Sequence, residues 1–373
     1  MKRLLLAALM GAPFFSMAQH SGVVDVFRQL ENMSPYYSLL MEEYTHDINQ
    51  DLNRSFMLNL QTGAAVMDTG EFTIGIVAGA GQGEIHSVGF DSPVMNDPNI
   101  AVIGSRAPTV FNGVTNPMLT FTFIDEEKGT PLFNPNTGEP LTFELQAPGG
   151  LDLPTAVTPS TAVTLGYGFG YGTEVRAYIT PKFGAAVSAV SDDVSFSNDF
   201  AYGLSVKHDI ATWIPSLHDK GWHLALDVAY SHFGAKTSAN FVGVESFDVD
   251  FSDDYAVEVE NTFSSLSYNL STMGTRVFVG KSFSWIDFSA YAGVLSNSYE
   301  MSTEGGFEAT LIDKSGNNPD EVLTIDGLSD FSGSATSFAY GVSTTIGTGW
   351  FRTSLAYTRA DRNFVSLGFH FYL

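Results

Sequence analysis

Seven carboxylates, Glu245, Asp248, Asp250, Asp253, Asp254, Glu258 and Glu260, crowd into sixteen residues with no base among them. Carboxylate oxygens at that density suit a hard cation such as Ca²⁺, with Asp248, Asp250 and Asp253 as the central ligands. The stretch lacks the glycine and the terminal glutamate spacing of an EF-hand, so a solvated acidic loop is the competing reading. Calcium bridging from this loop to lipopolysaccharide is a third. Lys207, His208 and Asp209 stand side by side, but no nucleophile is tied to them by the spacing of known hydrolases. Ser366 and His370, four residues apart on one face of an alternating segment, form a second and weaker acyl-transfer pair. The chain has no G-x-S-x-G elbow, P-loop, H-E-x-x-H pair or dinucleotide fingerprint. Gly79-Ala-Gly-Gln-Gly83 leaves a strand rather than opening a helix, which argues against a phosphate cradle. The eight histidines are scattered and cysteine is absent, so no zinc set is evident. The residues therefore read as those of a non-enzyme without a cofactor.

The start of the chain sets the compartment. Lys2 and Arg3, the apolar run Leu4 to Phe15 and the small residues around Ser16-Met17-Ala18 are the three parts of a secretory signal peptide. Residues 1–18 are expected to be cleaved off, leaving Gln19 first. The run is too short for a spanning helix, which needs about 20 apolar residues. No cysteine follows it, so a lipid-anchored lipoprotein is excluded. Without disulfides an exported chain must draw its stability from a core or from a membrane. The net charge of −24 opposes nucleic acid as a partner, because phosphate binding needs a basic stripe. Thirty Phe, fifteen Tyr and 36 Gly beside only 16% charged residues fit a barrel with an aromatic girdle, and a soluble sandwich could share them.

Alternation separates those two. From Trp222 to Tyr230 one face reads Trp222, Leu224, Leu226, Val228, Tyr230, and the other His223, Ala225, Asp227, Ala229. The apolar face begins and ends on an aromatic, and about nine tilted residues cross a hydrocarbon layer. Val365, Leu367, Phe369, Phe371 and Leu373 repeat the pattern, with Ser366, Gly368, His370 and Tyr372 opposite. Such a last strand is what barrel-assembly machinery recognises. Val163, Leu165, Tyr167 and Phe169 share a face. So do Val175, Ala177 and Ile179, opposite Glu174 and Arg176, and Phe351, Leu355 and Tyr357, opposite Arg352 and Ser354. Polar side chains are thus expected to face the lumen at Glu174, Arg176, His223, Asp227, Arg352 and His370.

The fold class is all-β: an antiparallel transmembrane β-barrel over residues 51–373, with about 12 strands expected and 14 the alternative. Short connections at Met67–Gly70, Gly168–Gly172, Trp285–Asp287 and Gly347–Trp350 mark the periplasmic end. Long ones at about 83–159, 234–262 and 298–334 mark the outside. Trp213, Trp222, Trp285 and Trp350 lie at the short connections, and with Tyr230 they are the expected membrane-interface aromatics.

Two segments are not wall. Residues 19–50 do not alternate; Val23, Phe27 and Leu30 recur at helical spacing, and Ser34-Pro35 starts a second helix. This helical segment could plug the lumen or lie in the periplasm. Residues 93–159 hold ten of the fifteen prolines, so most of that connection is loop. Asp209 can cap a short interfacial helix carrying Ile210, Trp213 and Ile214.

Arg106-Ala-Pro-Thr-Val-Phe-Asn-Gly113, Gly172-Thr-Glu-Val-Arg-Ala-Tyr-Ile-Thr-Pro-Lys182 and Gly203-Leu-Ser-Val-Lys-His-Asp-Ile-Ala-Thr-Trp-Ile-Pro215 resemble a Bacteroidota outer-membrane β-barrel family, a domain of unknown function. The match is looser around Asn53 to Phe72. An N-terminal helical segment ahead of a barrel is similar in plan to fatty-acid-transporter-like barrels, a likeness that transfers no binding residues. The resemblance implies a bacterial outer-membrane location, with membrane lipid, lipopolysaccharide and the barrel-assembly machinery as partners. A porin-like channel or transporter for a small or hydrophobic solute is expected first. A structural or accessory subunit of a secretion, assembly or surface complex is expected second.

Overall fold

The computed structural model describes residues 54–60, 62–82, 157–180, 201–239, 264–326 and 330–373, with shorter strand segments and single positions between them. The signal peptide and most of the helical segment expected before residue 50 lie outside the described residues. Of that segment, Ser38, Glu42 and Thr45 are helical.

Among the described residues ten strands form the wall: β1 Phe72–Gln82, β2 Val157–Gly170, β3 Thr173–Thr180, β4 Ala201–Asp209 and β5 Trp222–Ala239. They continue with β6 Ser265–Ser282, β7 Ile286–Glu304, β8 Phe331–Thr348, β9 Phe351–Arg359 and β10 Asn363–Tyr372. Each pairs antiparallel with its chain neighbours, and β10 pairs back onto β1, so the wall has no free edge. Closure matters because an unpaired backbone edge cannot persist in hydrocarbon. The first wall residue is Phe72; residues 51–71, grouped with the barrel in the sequence, precede it.

The expected 12 to 14 strands are corrected to ten. Further segments do form strands: Val194–Asn198 pairs with residues 235–239 of β5, and the others pair with one another. Phe247–Asp250, Tyr255–Asn261, Gly306–Asp313 and Glu321–Asp326 make a separate four-stranded sheet, fed by the connections after β5 and β7. Ile100–Gly104, Met118–Asp125, Thr130–Pro131 and Thr142–Gln146 make another within the proline-rich connection. Three prolines of the stretch fall in strands: Pro108 and Pro131 end two-residue strands, where a missing N–H costs little, and Pro159 is the third residue of β2, opposite Ala80 of β1. Strands β5 to β8 run 18 or 19 residues, well beyond the roughly 9–11 that cross a bilayer. They therefore rise past the membrane on one side of the barrel, and the connections expected at 234–262 and 298–334 are shorter than their sequence suggests.

Alternation gives each strand its two faces. On β10 and the residue after it, Val365, Leu367, Phe369, Phe371 and Leu373 are 40 to 77% exposed, an apolar row that only lipid would cover. Inside, three tyrosines lie against glycines of the adjacent strand: Tyr178 on Gly203, Tyr291 on Gly341 and Tyr299 on Gly333. A Cβ at any of these glycines would meet the phenol, so the small residue makes room for the ring inside a narrow lumen. The turn between β2 and β3 has two residues, Tyr171 and Gly172, both at positive φ (50° and 76°), the geometry of a type I′ hairpin.

The outer sheet contributes a pH-sensitive turn. Asp313 accepts from the Ser315 amide and hydroxyl, at 2.8 and 2.5 Å, and from the Asn318 amide and side chain, both at 2.8 Å. These bonds, led by the Ser315 hydroxyl, hold its carboxyl down at about 2, below the ordinary 3.8. A lowered folded-state value means the stabilisation is full above the unfolded value and is lost as pH falls through the folded one. Hydrogen exchange at the Ser315 and Asn318 amides is expected to lose protection between about pH 4 and pH 2. Asp313→Asn should abolish that dependence.

Candidate functional site in the barrel lumen

Strand register brings four charges into one row across the inner wall. Glu174 on β3 faces Lys207 on β4, Lys207 faces Asp227 on β5, and Asp227 faces Arg276 on β6. The signs alternate, as opposite cross-strand neighbours must if they are to be buried together. Lys207 Nζ donates to Glu174 Oε1 at 3.0 Å, and Arg276 Nε donates to Asp227 Oδ2 at 2.9 Å. Arg176, two residues along β3, donates from Nε to the same Glu174 oxygen at 2.9 Å. All five side chains are buried. Phe278 lies beneath Lys207 and Arg276, with both cations within 5.7 Å of its ring centre, and stacks on Tyr291.

A segment of the chain itself fills the space this row surrounds. Residues 54–58 are helical, and Phe56, Met57, Leu58 and Leu60 are buried against Tyr178, Phe233, Leu270 and Leu295 of the inner wall. Phe56 stacks on Phe233, with ring centres 5.4 Å apart. At the end near the long connections, Arg54 pairs with Asp361 at 3.0 Å, and Ser55 and Asn59 donate to Ser160 Oγ. Further along, Ala64 N donates to Ser289 Oγ, and Thr345 Oγ1 donates to the Thr62 carbonyl. Thr62 Oγ1 then accepts from Lys207, and Met67 N donates to Glu174 Oε2 at 3.0 Å. The segment thus runs down the lumen and reaches the charge row just before the chain turns into β1.

The polar residues expected inside occupy several settings. Glu174, Arg176 and Asp227 belong to the row. His370 is buried with Nε2 2.8 Å from Ser354 Oγ, so its partner is Ser354 rather than Ser366. Arg352 lies over the Tyr372 ring at 4.4 Å. His223 sits at the short-turn rim, with Nδ1 2.6 Å from Asp209 Oδ2 and Nε2 2.8 Å from Ser282 Oγ. Trp213, Trp222, Trp285 and Trp350, between 43 and 69% exposed, all lie at that rim, and Tyr230 lies eight residues up β5 from Trp222. Asp209 caps a 3-10 helix, Ile210–Trp213, by accepting from Ala211 N. Lys207, His208 and Asp209 separate: Lys207 and Asp209 point inward, while His208 contacts Thr173 Oγ1 and Trp213.

Asp248 and Asp250 fall on the strand Phe247–Asp250; their side chains and Asp253 lie outside the described residues. Among the described residues no three His, Asp or Glu side chains gather as metal ligands. Arg276, Ser282 and the lumen segment at residues 54–67 escaped the sequence reading, which singled out Lys207 and Asp209 without placing them in the lumen. For Lys207 and Asp209 a signal existed, since the alternation of Gly203 and Ser205 continues through both.

A closed antiparallel barrel with an apolar belt outside, charges inside and its longest connections all at one end defines the class: a fold like that of bacterial outer-membrane β-barrels. Within it, the chain belongs to DUF6588, a family of unknown function whose model matches residues 1–373. No characterised protein matches the sequence. Among solved structures it is similar to the translocator domain of the autotransporter NalP from Neisseria meningitidis, at 10% identity over 83% of this chain and 90% of that one, with a TM-score of 0.31. It is also similar to the attachment invasion locus protein Ail of Yersinia pestis, at 11% identity over 82% and 99%, with a TM-score of 0.23. The outer-membrane protease OmpT from Escherichia coli matches at 6% identity over 81% and 96%, with a TM-score of 0.33.

Proposed function

We propose that this protein is a sealed outer-membrane barrel acting as an accessory or scaffold subunit, with its outer sheet as the working surface. The observation that carries this reading is the occupied lumen. Burial of Phe56, Met57, Leu58 and Leu60 stabilises the inserted segment by roughly 6–12 kcal/mol, at about 1.5–3 kcal/mol for each side chain. An open diffusion pore would have to forgo that. The tall strands β5 to β8 and the sheet they feed instead give the barrel a large structured surface outside the bilayer. Export through a cleaved signal peptide, insertion by barrel-assembly machinery and contact with lipopolysaccharide belong to the same proposal.

Transport of a small or hydrophobic solute is the second reading. It is favoured by the buried charge row, which the inserted segment engages through two hydrogen bonds, from Lys207 to Thr62 and from Met67 to Glu174. It requires the segment to move. Purification from native outer membranes in mild detergent, followed by mass spectrometry, separates the two readings. A scaffold is expected to bring down a partner in stoichiometric amount, lost when the outer sheet between residues 247 and 326 is trimmed. A monodisperse single chain would contradict it.

A further inference from the structure

At the short-turn rim three side chains from three successive strands form a hydrogen-bonded line that neither the charge row nor the inserted segment uses. Asp209 ends β4, His223 is the second residue of β5 and Ser282 ends β6. The Asp209 carboxylate is fully buried, and its Oδ1 accepts from the backbone N–H of Ala211 and of Leu224, each at 3.0 Å. Its Oδ2 lies 2.6 Å from His223 Nδ1. A carboxylate held by two amides only accepts, so Nδ1 must carry the imidazole proton. In the neutral ring that leaves a lone pair on Nε2, facing Ser282 Oγ at 2.8 Å, and the serine hydroxyl donates to it. The imidazole is therefore fixed in the tautomer and orientation that a general base for serine requires.

We propose that Ser282, His223 and Asp209 are the nucleophile, the base and the orienting carboxylate of an acyl-transfer site that hydrolyses carboxylic esters at the periplasmic rim. In the first step Ser282 Oγ bonds to the ester carbonyl carbon and its proton passes to His223 Nε2. The tetrahedral adduct then expels the alcohol, which takes that proton. Water adds to the acyl-serine, giving a proton to His223, and the acid departs as Ser282 recovers its hydroxyl proton. The site is reachable: the His223 side chain is 13% exposed and Ser282 is half-buried. Exposed Trp222, Phe283 and Trp285 lie beside it, which points to an ester of an amphiphile held at headgroup depth. The Ser354–His370 pair deeper in the barrel lacks the third member, since His370 Nδ1 has no hydrogen-bond partner among the described residues. The Ser282 amide is committed to the Gly221 carbonyl at 2.8 Å, so it cannot serve the oxyanion, and acylation of unactivated esters is expected to be slow.

The test is therefore an activated probe. Folded full-length protein in native outer membranes is treated with a fluorophosphonate, and the modified peptide is identified by mass spectrometry. Labelling is expected at Ser282, absent in Ser282→Ala and roughly a hundredfold slower in His223→Gln, the usual scale of a general base. Retention of the heat-modifiable gel shift shows that each variant is folded. If folded wild-type protein is not labelled at Ser282, or is labelled no faster than His223→Gln, the three residues only fasten strand ends together and the proposal fails. Neither result bears on the scaffold reading.

Discussion

Replacing Glu174 with alanine is expected to destabilise the barrel by about 3–5 kcal/mol, the usual cost of removing one member of a buried ion pair. Its two oxygens receive Arg176, Lys207 and the Met67 amide. Taking the carboxylate away leaves Arg176 and Lys207 without their shared partner, with Asp227, already engaged by Arg276, as the one carboxylate left in the row, and it also releases the end of the inserted segment. Glu174→Gln should lose less, because an amide oxygen still accepts from one donor, but it cannot neutralise either charge. Lys207→Met should be milder again, since Arg176 continues to satisfy Glu174. Denaturant unfolding in detergent, followed by tryptophan fluorescence, reads this order. A loss for Glu174→Ala below about 1 kcal/mol would mean that water reaches the row and screens it like a surface pair.

The second large effect concerns Phe56. Its ring stacks on Phe233 and lies 6.4 Å from the Tyr178 ring, with almost no exposed surface. Truncation to alanine is expected to weaken docking of the inserted segment by about 3–5 kcal/mol, the cost of emptying a buried aromatic site. The barrel wall should survive, because its ladder does not pass through residue 56. The change is therefore expected as local opening: faster hydrogen exchange at residues 54–60 with unchanged exchange in β6 and β7. Equal acceleration in both would show that wall and segment unfold as one unit.

How much of this was legible in the sequence depends on which force wrote each feature. The faces of β5 and β10 could be read directly, because lipid outside and polar groups inside impose opposite demands on successive residues. The tryptophans at the short turns carry the same imprint. Strand number could not be read, because Phe247–Asp250 and Tyr255–Asn261 alternate as wall strands do, and periodicity reports a strand without naming the sheet it joins. The charge row depends on register. Lys207 faces Asp227 only because the chain between β4 and β5 has the length it has, and alternation cannot supply that offset. The same holds for Asp209, His223 and Ser282, which are 14 and 59 residues apart in sequence. The segment around Phe56 is apolar in a way that fits any interior. Nothing in its composition says that this interior is the lumen of its own barrel.

Conductance tests the occupied lumen most directly. The purified protein is reconstituted into planar bilayers under moderate voltage and compared with a Phe56→Ala, Leu60→Ala double variant. The wild-type barrel is expected to insert without a steady current and the loosened variant to show discrete openings. A stable, ohmic current through the wild-type protein would contradict the sealed barrel on which this account rests.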